Sequence, residues 1–238
     1  MLKKISQSLL FIWKYVRYNL KIIFANKFIY FLLAAIVIFL FIIFLSLVDE
    51  DSNPTAAIFY YWLLVPGILL VFYPSVFGIQ NDVDSRMLEI LFGVPNYRYK
   101  VWLVRLGVIY IIVFALLWIL AFAGSMAIVM FNISEMVFQV MFPVFFLGSV
   151  AFLFSTWVRN GYGTAVVMVV IALIFWILSG ELVESRWNLF LNPFHYPEEV
   201  SELAWGDIIT KNRIYLSVGI VVSILMGLLN LQKREKFV

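Results

Sequence analysis

The sequence predicts an all-α polytopic membrane protein with six transmembrane helices, and three observations carry that prediction. Of the 238 residues, 64% are hydrophobic and only 13% are charged. A soluble domain averages roughly 45–50% apolar and about 25% charged, and a water-soluble core of this size has no room for the excess. Next, six apolar runs reach the roughly 20 residues that a helix needs to cross a hydrocarbon core. Finally, these runs are continuous. The strands of a membrane β-barrel would alternate in short segments, and lipid demands that backbone groups be satisfied within each helix.

The chain reads as a single transmembrane domain, 1–238. Its first segment, 1–27, has apolar residues spaced by threes and fours at Leu2, Ile5, Leu9, Ile12, Trp13, Val16, Leu20 and Ile23. Lys3, Gln7, Lys14, Arg17 and Lys21 fall on the other side. That pattern predicts an amphipathic helix lying in the interface, its cations against anionic headgroups. The competing reading is an inward extension of the first span. No cleavable signal is expected, because charges are scattered through this segment.

The spans follow at 28–48, 56–79, 106–130, 136–158, 162–180 and 214–231. A charged connection occupies 80–105, and an aromatic-rich one, 181–213, is expected to form short helices at the outer membrane boundary. Lys and Arg set the direction. With both termini cytoplasmic, the inner side receives Lys3, Lys4, Lys14, Arg17, Lys21 and Lys27, then Arg86, Arg98, Lys100 and Arg105. Arg159, Lys233, Arg234 and Lys236 complete that set. Only Arg186, Lys211 and Arg213 of the 17 basic residues are left outside. The expected location is the plasma or inner cell membrane, with both ends inside.

Several chemistries are excluded or disfavoured. The chain has no cysteine and one histidine, so thiol nucleophiles and thiolate metal sites are absent. Serines at Gly124-Ser125 and Gly148-Ser149 would need a base within reach, and the only histidine, His195, lies in the outer connection. Small residues in spans permit close helix packing, as do Gly219, Ser223 and Gly227. Glu198-Glu199 reads as the start of an exposed acidic helix rather than a metal site. No phosphate-binding GxxxxGK[ST] loop occurs. Span interiors hold no Asp, Glu, Lys, Arg or His, which disfavours a proton-coupled pump. Neither a catalytic residue nor a metal site is expected, and no nucleic-acid partner.

The informative stretch is SRMLEILFGVPNYRYKVWLVR, residues 85–105, which concentrates charge between two apolar runs. Met87, Leu88, Leu91 and Phe92 form one face of a helix, with Asp84, Arg86 and Glu89 near the other. Pro95 forces a turn, and Arg98, Lys100 and Arg105 lead into the third span. The residues alone fit two readings equally: a docking handle for a soluble partner, or ordinary positive-inside loop chemistry.

The spacing of Glu89, Leu91, Pro95, Arg98 and Arg105 resembles the cytoplasmic segment of the type-2 permease family of ATP-binding-cassette exporters. Arg86-Met87 stand where that family usually has Gly-Thr. The order of elements along the whole chain is similar too. The resemblance implies a coupling helix at 84–100 involving Asp84, Arg86, Glu89, Leu91, Pro95, Arg98 and Arg105, seated on a separate cytoplasmic ATPase. It implies pairing with a second permease subunit, identical or a sister chain, and no cofactor in this chain, with ATP and Mg bound by the partner. The cargo it implies is lipid-like, drug, peptide or glycan. Its path would run between subunits along spans two and five. Span two offers Tyr60, Tyr61, Tyr73 and Ser75, with Pro66 and Pro74 as bends; the tyrosines read equally as interfacial anchors. Two other functions stay open: a non-transporting membrane adaptor or assembly factor, and an intramembrane enzyme.

Overall fold

The computed structural model describes residues 27–49, 53–84, 98–158 and 160–231, the side chains of 98–100 excepted. The predicted interfacial helix at 1–27, Lys27 excepted, and the segment 85–97 lie outside the described residues. The described residues form six α-helices: α1 (Phe28–Val48), α2 (Ala56–Asp84), α3 (Val104–Ala127), α4 (Ile133–Val158), α5 (Gly161–Glu181) and α6 (Glu202–Asn230). A π-helical turn, Arg98–Leu103, leads into α3. All six helices are long and apolar enough to cross a membrane.

Successive helices run in opposite directions throughout, so α4 and α6 run parallel, with Gly219 beside Phe146 and Gly227 beside Phe152. One end of the bundle, here the proximal end, holds Lys27, Asp84, Arg98, Asn160 and Leu231. The distal end holds the α1–α2 and α3–α4 connections and the segment 182–201. Ring contacts fix the antiparallel pairing of α1 and α2: Phe31 stacks on Tyr73 at 5.0 Å, and Phe39 meets Phe59 edge-on at 6.0 Å.

The core centres on α2 and α4, whose inward faces hold Leu63, Leu70, Val140, Val144 and Phe152 at 2% exposure or less. Close approach there rests on glycine. A Cβ on Gly148 of α4 would come within 2.6 Å of Val71 Cγ2 on α2. The small-residue stripe on α6 faces α4: Gly219 meets Phe146, Gly227 meets Phe152, and Ser223 is buried. This is packing inside one chain, as small residues in lipid allow. In contrast, α1 and α5 turn large apolar side chains outward, among them Val37, Phe41, Phe44, Val166, Leu173 and Ile177.

Helix length departs from the apolar runs at two places. A helix of 29 residues, the length of both α2 and α6, is about 43 Å long, well beyond a hydrocarbon core of about 30 Å. The excess of α2 is its proximal Gln80–Asp84 turn. The excess of α6 is its first three turns, from Glu202 to Arg213 at the distal end, where the sequence predicts a connection of short helices up to 213. Ser201 caps α6, its Oγ accepting from the Ala204 N–H. α5 starts with a stronger cap: Asn160 Oδ1 accepts from Tyr162 and Gly163 N–H at 2.9 and 3.1 Å. Such a cap satisfies donors that the first turn leaves open.

The segment 182–201 holds turns rather than the short helices expected there. Asparagines explain it, since their side chains bond nearby backbone and compete with helix. Asn188 Oδ1 accepts from Phe190 N–H at 2.9 Å and Asn192 Oδ1 from Phe194 N–H at 3.0 Å. Asn192 Nδ2 also donates to the Ala57 carbonyl at 2.7 Å, tying the segment to the start of α2. Leu189, Phe190 and Leu191 are thereby buried against the bundle.

Candidate functional site

At the proximal end, α2 ends at Asp84, and the π-helical turn that leads into α3 begins at Arg98. The two stems of this connection are joined by one buried ion pair. Arg105 Nη1 donates to Asp82 Oδ2 at 2.7 Å, and the two side chains are 6% and 5% exposed. The guanidinium also lies over the Trp102 ring at 4.6 Å, and Trp102 packs against Phe152 of α4 at 6.0 Å between centroids. Two further bonds fasten the end of α2. Asn81 Nδ2 donates to Tyr73 Oη at 3.2 Å, and Gln80 Oε1 accepts from the Gly161 N–H of α5.

These contacts locate the predicted coupling residues. Asp84 is exposed at the last position of α2. Arg105 is not an exposed basic residue leading into the third span; it is turned into the bundle and neutralised by Asp82. Arg98 begins the π-helical turn, its side chain outside the described residues. Arg86, Glu89, Leu91 and Pro95 lie outside the described residues as well.

The predicted path residues are not brought together. Tyr60 is fully buried near the distal end, beside Tyr61 at 5.5 Å and Phe194 at 6.1 Å. Tyr61 is 41% exposed on the neighbouring face. Tyr73 and Ser75 are buried more than three turns further on, about 20 Å along the axis. The Tyr73 hydroxyl accepts from the Lys27 backbone N–H at 3.2 Å, so it anchors the start of α1 to α2. Only a rearrangement of the bundle would expose Tyr60, Tyr73 and Ser75 to a shared passage.

A second buried cation went unread in the sequence. Arg213, assigned there to the outer connection, is 7% exposed within α6. Its Nε donates to Gln139 Oε1 at 2.8 Å, Nη1 to Asn212 Oδ1 at 2.9 Å and Nη2 to the Leu191 carbonyl at 3.1 Å. The ring of Phe142 lies 5.3 Å from it. Asn212 Nδ2 meanwhile donates to the Arg186 and Asn188 carbonyls. The cluster therefore ties α4, α6 and the turned segment together at the distal end. Asp82 was missed for a related reason: it stands in a charged run, and nothing local marks Arg105 as its partner.

Ser149 Oγ donates to the Phe146 carbonyl of its own helix at 2.8 Å, and His195 is exposed on the turned segment. Among the described residues, no three His, Cys, Asp or Glu side chains group closely enough to hold a metal ion. Compared with known proteins, the chain matches no family model, no curated protein and no solved structure.

Proposed function

We propose that the chain is the membrane-spanning permease subunit of an ATP-binding-cassette transporter, an exporter of hydrophobic or amphipathic cargo. In this reading it pairs with a second permease subunit in the plasma or inner membrane, both termini cytoplasmic. A separate cytoplasmic ATPase binds ATP and Mg and docks on the segment between α2 and α3. The observation that carries the reading is the spacing of Glu89, Leu91, Pro95, Arg98 and Arg105 in that segment. Six apolar helices of spanning length are what such a subunit requires. The joined stems support a lever: with Asp82 bonded to Arg105, a push on the connection reaches α2 and α3 together.

The test is purification of the tagged chain from its native membrane in mild detergent. An ATPase is expected to come with it, and Glu89→Lys or Arg98→Glu is expected to lower ATP hydrolysis by that complex while leaving membrane insertion intact. A complex whose hydrolysis rate is the same after both changes overturns the coupling assignment.

A further inference from the structure

Between α1 and α5 the bundle surface is cut by a groove of about 560 Å³. Phe31 and Ile38 of α1 form one wall, and Ala172 and Trp176 of α5 form the other. Leu69 of α2 and Ala151 of α4 lie on the floor. The lining is apolar throughout. Phe190 of the turned segment meets Trp176 at 6.0 Å and closes the distal limit.

The proximal limit is different. Phe31 stacks on Tyr73, and the Tyr73 hydroxyl is held by the Lys27 N–H and by Asn81. Lys27 lies four residues before Phe31, on the same face of α1, and it is exposed. A cation and amide groups therefore stand where the apolar lining stops. From Lys27 to Ile38 the wall runs about 16 Å along the helix axis. One leaflet of hydrocarbon is about 15 Å, half of the full core.

We propose that this groove binds one acyl chain of an anionic phospholipid, the chain lying along α1 and α5 and the headgroup phosphate at Lys27. The length matches a single leaflet, the lining suits only hydrocarbon, and the charge of Lys27 is of the sign a phospholipid headgroup requires. The site belongs to this single chain and does not depend on an ATPase partner.

The experiment uses the full chain in phosphatidylcholine nanodiscs doped with phosphatidylglycerol bearing a diazirine in its acyl chain. After photolysis, labelled peptides are mapped by mass spectrometry. Label is expected on the segments containing Phe72 and Trp176, in excess over the same diazirine carried by phosphatidylcholine. Lys27→Ala is expected to lower the phosphatidylglycerol label there about fivefold, the effect of one basic residue against an anionic surface. Ala172→Trp fills the groove and is expected to remove the label there, while the exposed Ile111 and Ile119 face of α3 stays labelled. Lys27→Ala keeps every backbone bond, so the proposal stays testable if Ala172→Trp does not fold. Equal labelling by the two lipids, or no change in Lys27→Ala, overturns the headgroup site. Label spread evenly over α3 and the groove reduces it to bulk solvation by lipid and overturns it too. An unlabelled groove whose filling changes the oligomeric state assigns it to a second copy of the chain, again overturning the proposal.

Discussion

Replacing Asp82 with Asn removes a negative charge and keeps its shape. The acceptor sits 2.7 Å from Arg105 Nη1, both side chains are almost wholly buried, and Trp102 covers the guanidinium. Salt cannot screen a pair at that depth as it screens a surface one. Breaking a buried pair by deleting one partner typically costs about 3–5 kcal/mol, because the other charge is left without compensation. Arg105→Met is expected to cost less than Asp82→Asn. Its thioether chain refills part of the stem's volume against Trp102, and a lone carboxylate in an apolar site escapes much of the penalty by taking up a proton. The double change, Asp82→Asn with Arg105→Met, is expected to recover most of the loss, giving a coupling energy of about 2 kcal/mol or more. The assay is reversible unfolding of the purified chain in mixed micelles, followed by helical circular dichroism at low and high salt. Additive single costs, or an Asp82→Asn cost under about 1 kcal/mol, would refute the argument that this pair fastens the stems. So would a cost that salt abolishes.

Arg213→Met should release the turned segment from α4 and α6, since three charge-assisted bonds to Gln139, Asn212 and Leu191 are lost together. Net losses of about 3 kcal/mol follow, and hydrogen exchange at Leu189, Phe190 and Leu191 should accelerate while exchange in α2 stays slow. Because the chain has no cysteine, single cysteines report sidedness without background. A cysteine at Glu198 should react with an impermeant maleimide on intact cells, and one at Asn160 only after permeabilisation. The reverse pattern would invert the proposed orientation and leave the connection between α2 and α3 facing away from any cytoplasmic partner.

Hydropathy made the six helices legible, because each apolar run falls on one helix. What it marks is the stretch that lipid accepts, which in α2 and α6 is shorter than the stretch that is helical. α2 continues to Asp84 because Gln80 and Asp82 find partners remote in sequence, Gly161 and Arg105, while Asn81 bonds Tyr73 two turns back on the same helix. α6 begins at Glu202 because Ser201 caps it and Arg213 is satisfied across 74 residues by Gln139. No periodicity or composition signals such pairings. A cation near a span end reads as a topology marker until its neighbours are known, and both Arg105 and Arg213 were read that way. The turned segment was misread for a local reason, since its aromatics suggested interfacial helices while Asn188 and Asn192 bend the backbone into turns. The tyrosines of α2 were legible as special but not as separate. Tyr60 and Tyr73 serve opposite ends of the helix, and the groove between α1 and α5 draws on four helices and the turned segment at once.

The two long helices overhang the bundle in opposite directions, α2 at the proximal end and α6 at the distal end; the first overhang holds Asp82, the partner of Arg105, and the second carries Arg213. The pair of overhangs therefore works as a thickness gauge. In a bilayer of longer acyl chains both guanidinium groups sink toward hydrocarbon unless the bundle tilts or the surrounding lipid compresses, and each of those adjustments has its own small energetic penalty. Membranes of different depth would consequently shift the tilt of the whole bundle, and with it the angle of the two stems that end at Asp84 and begin at Arg98.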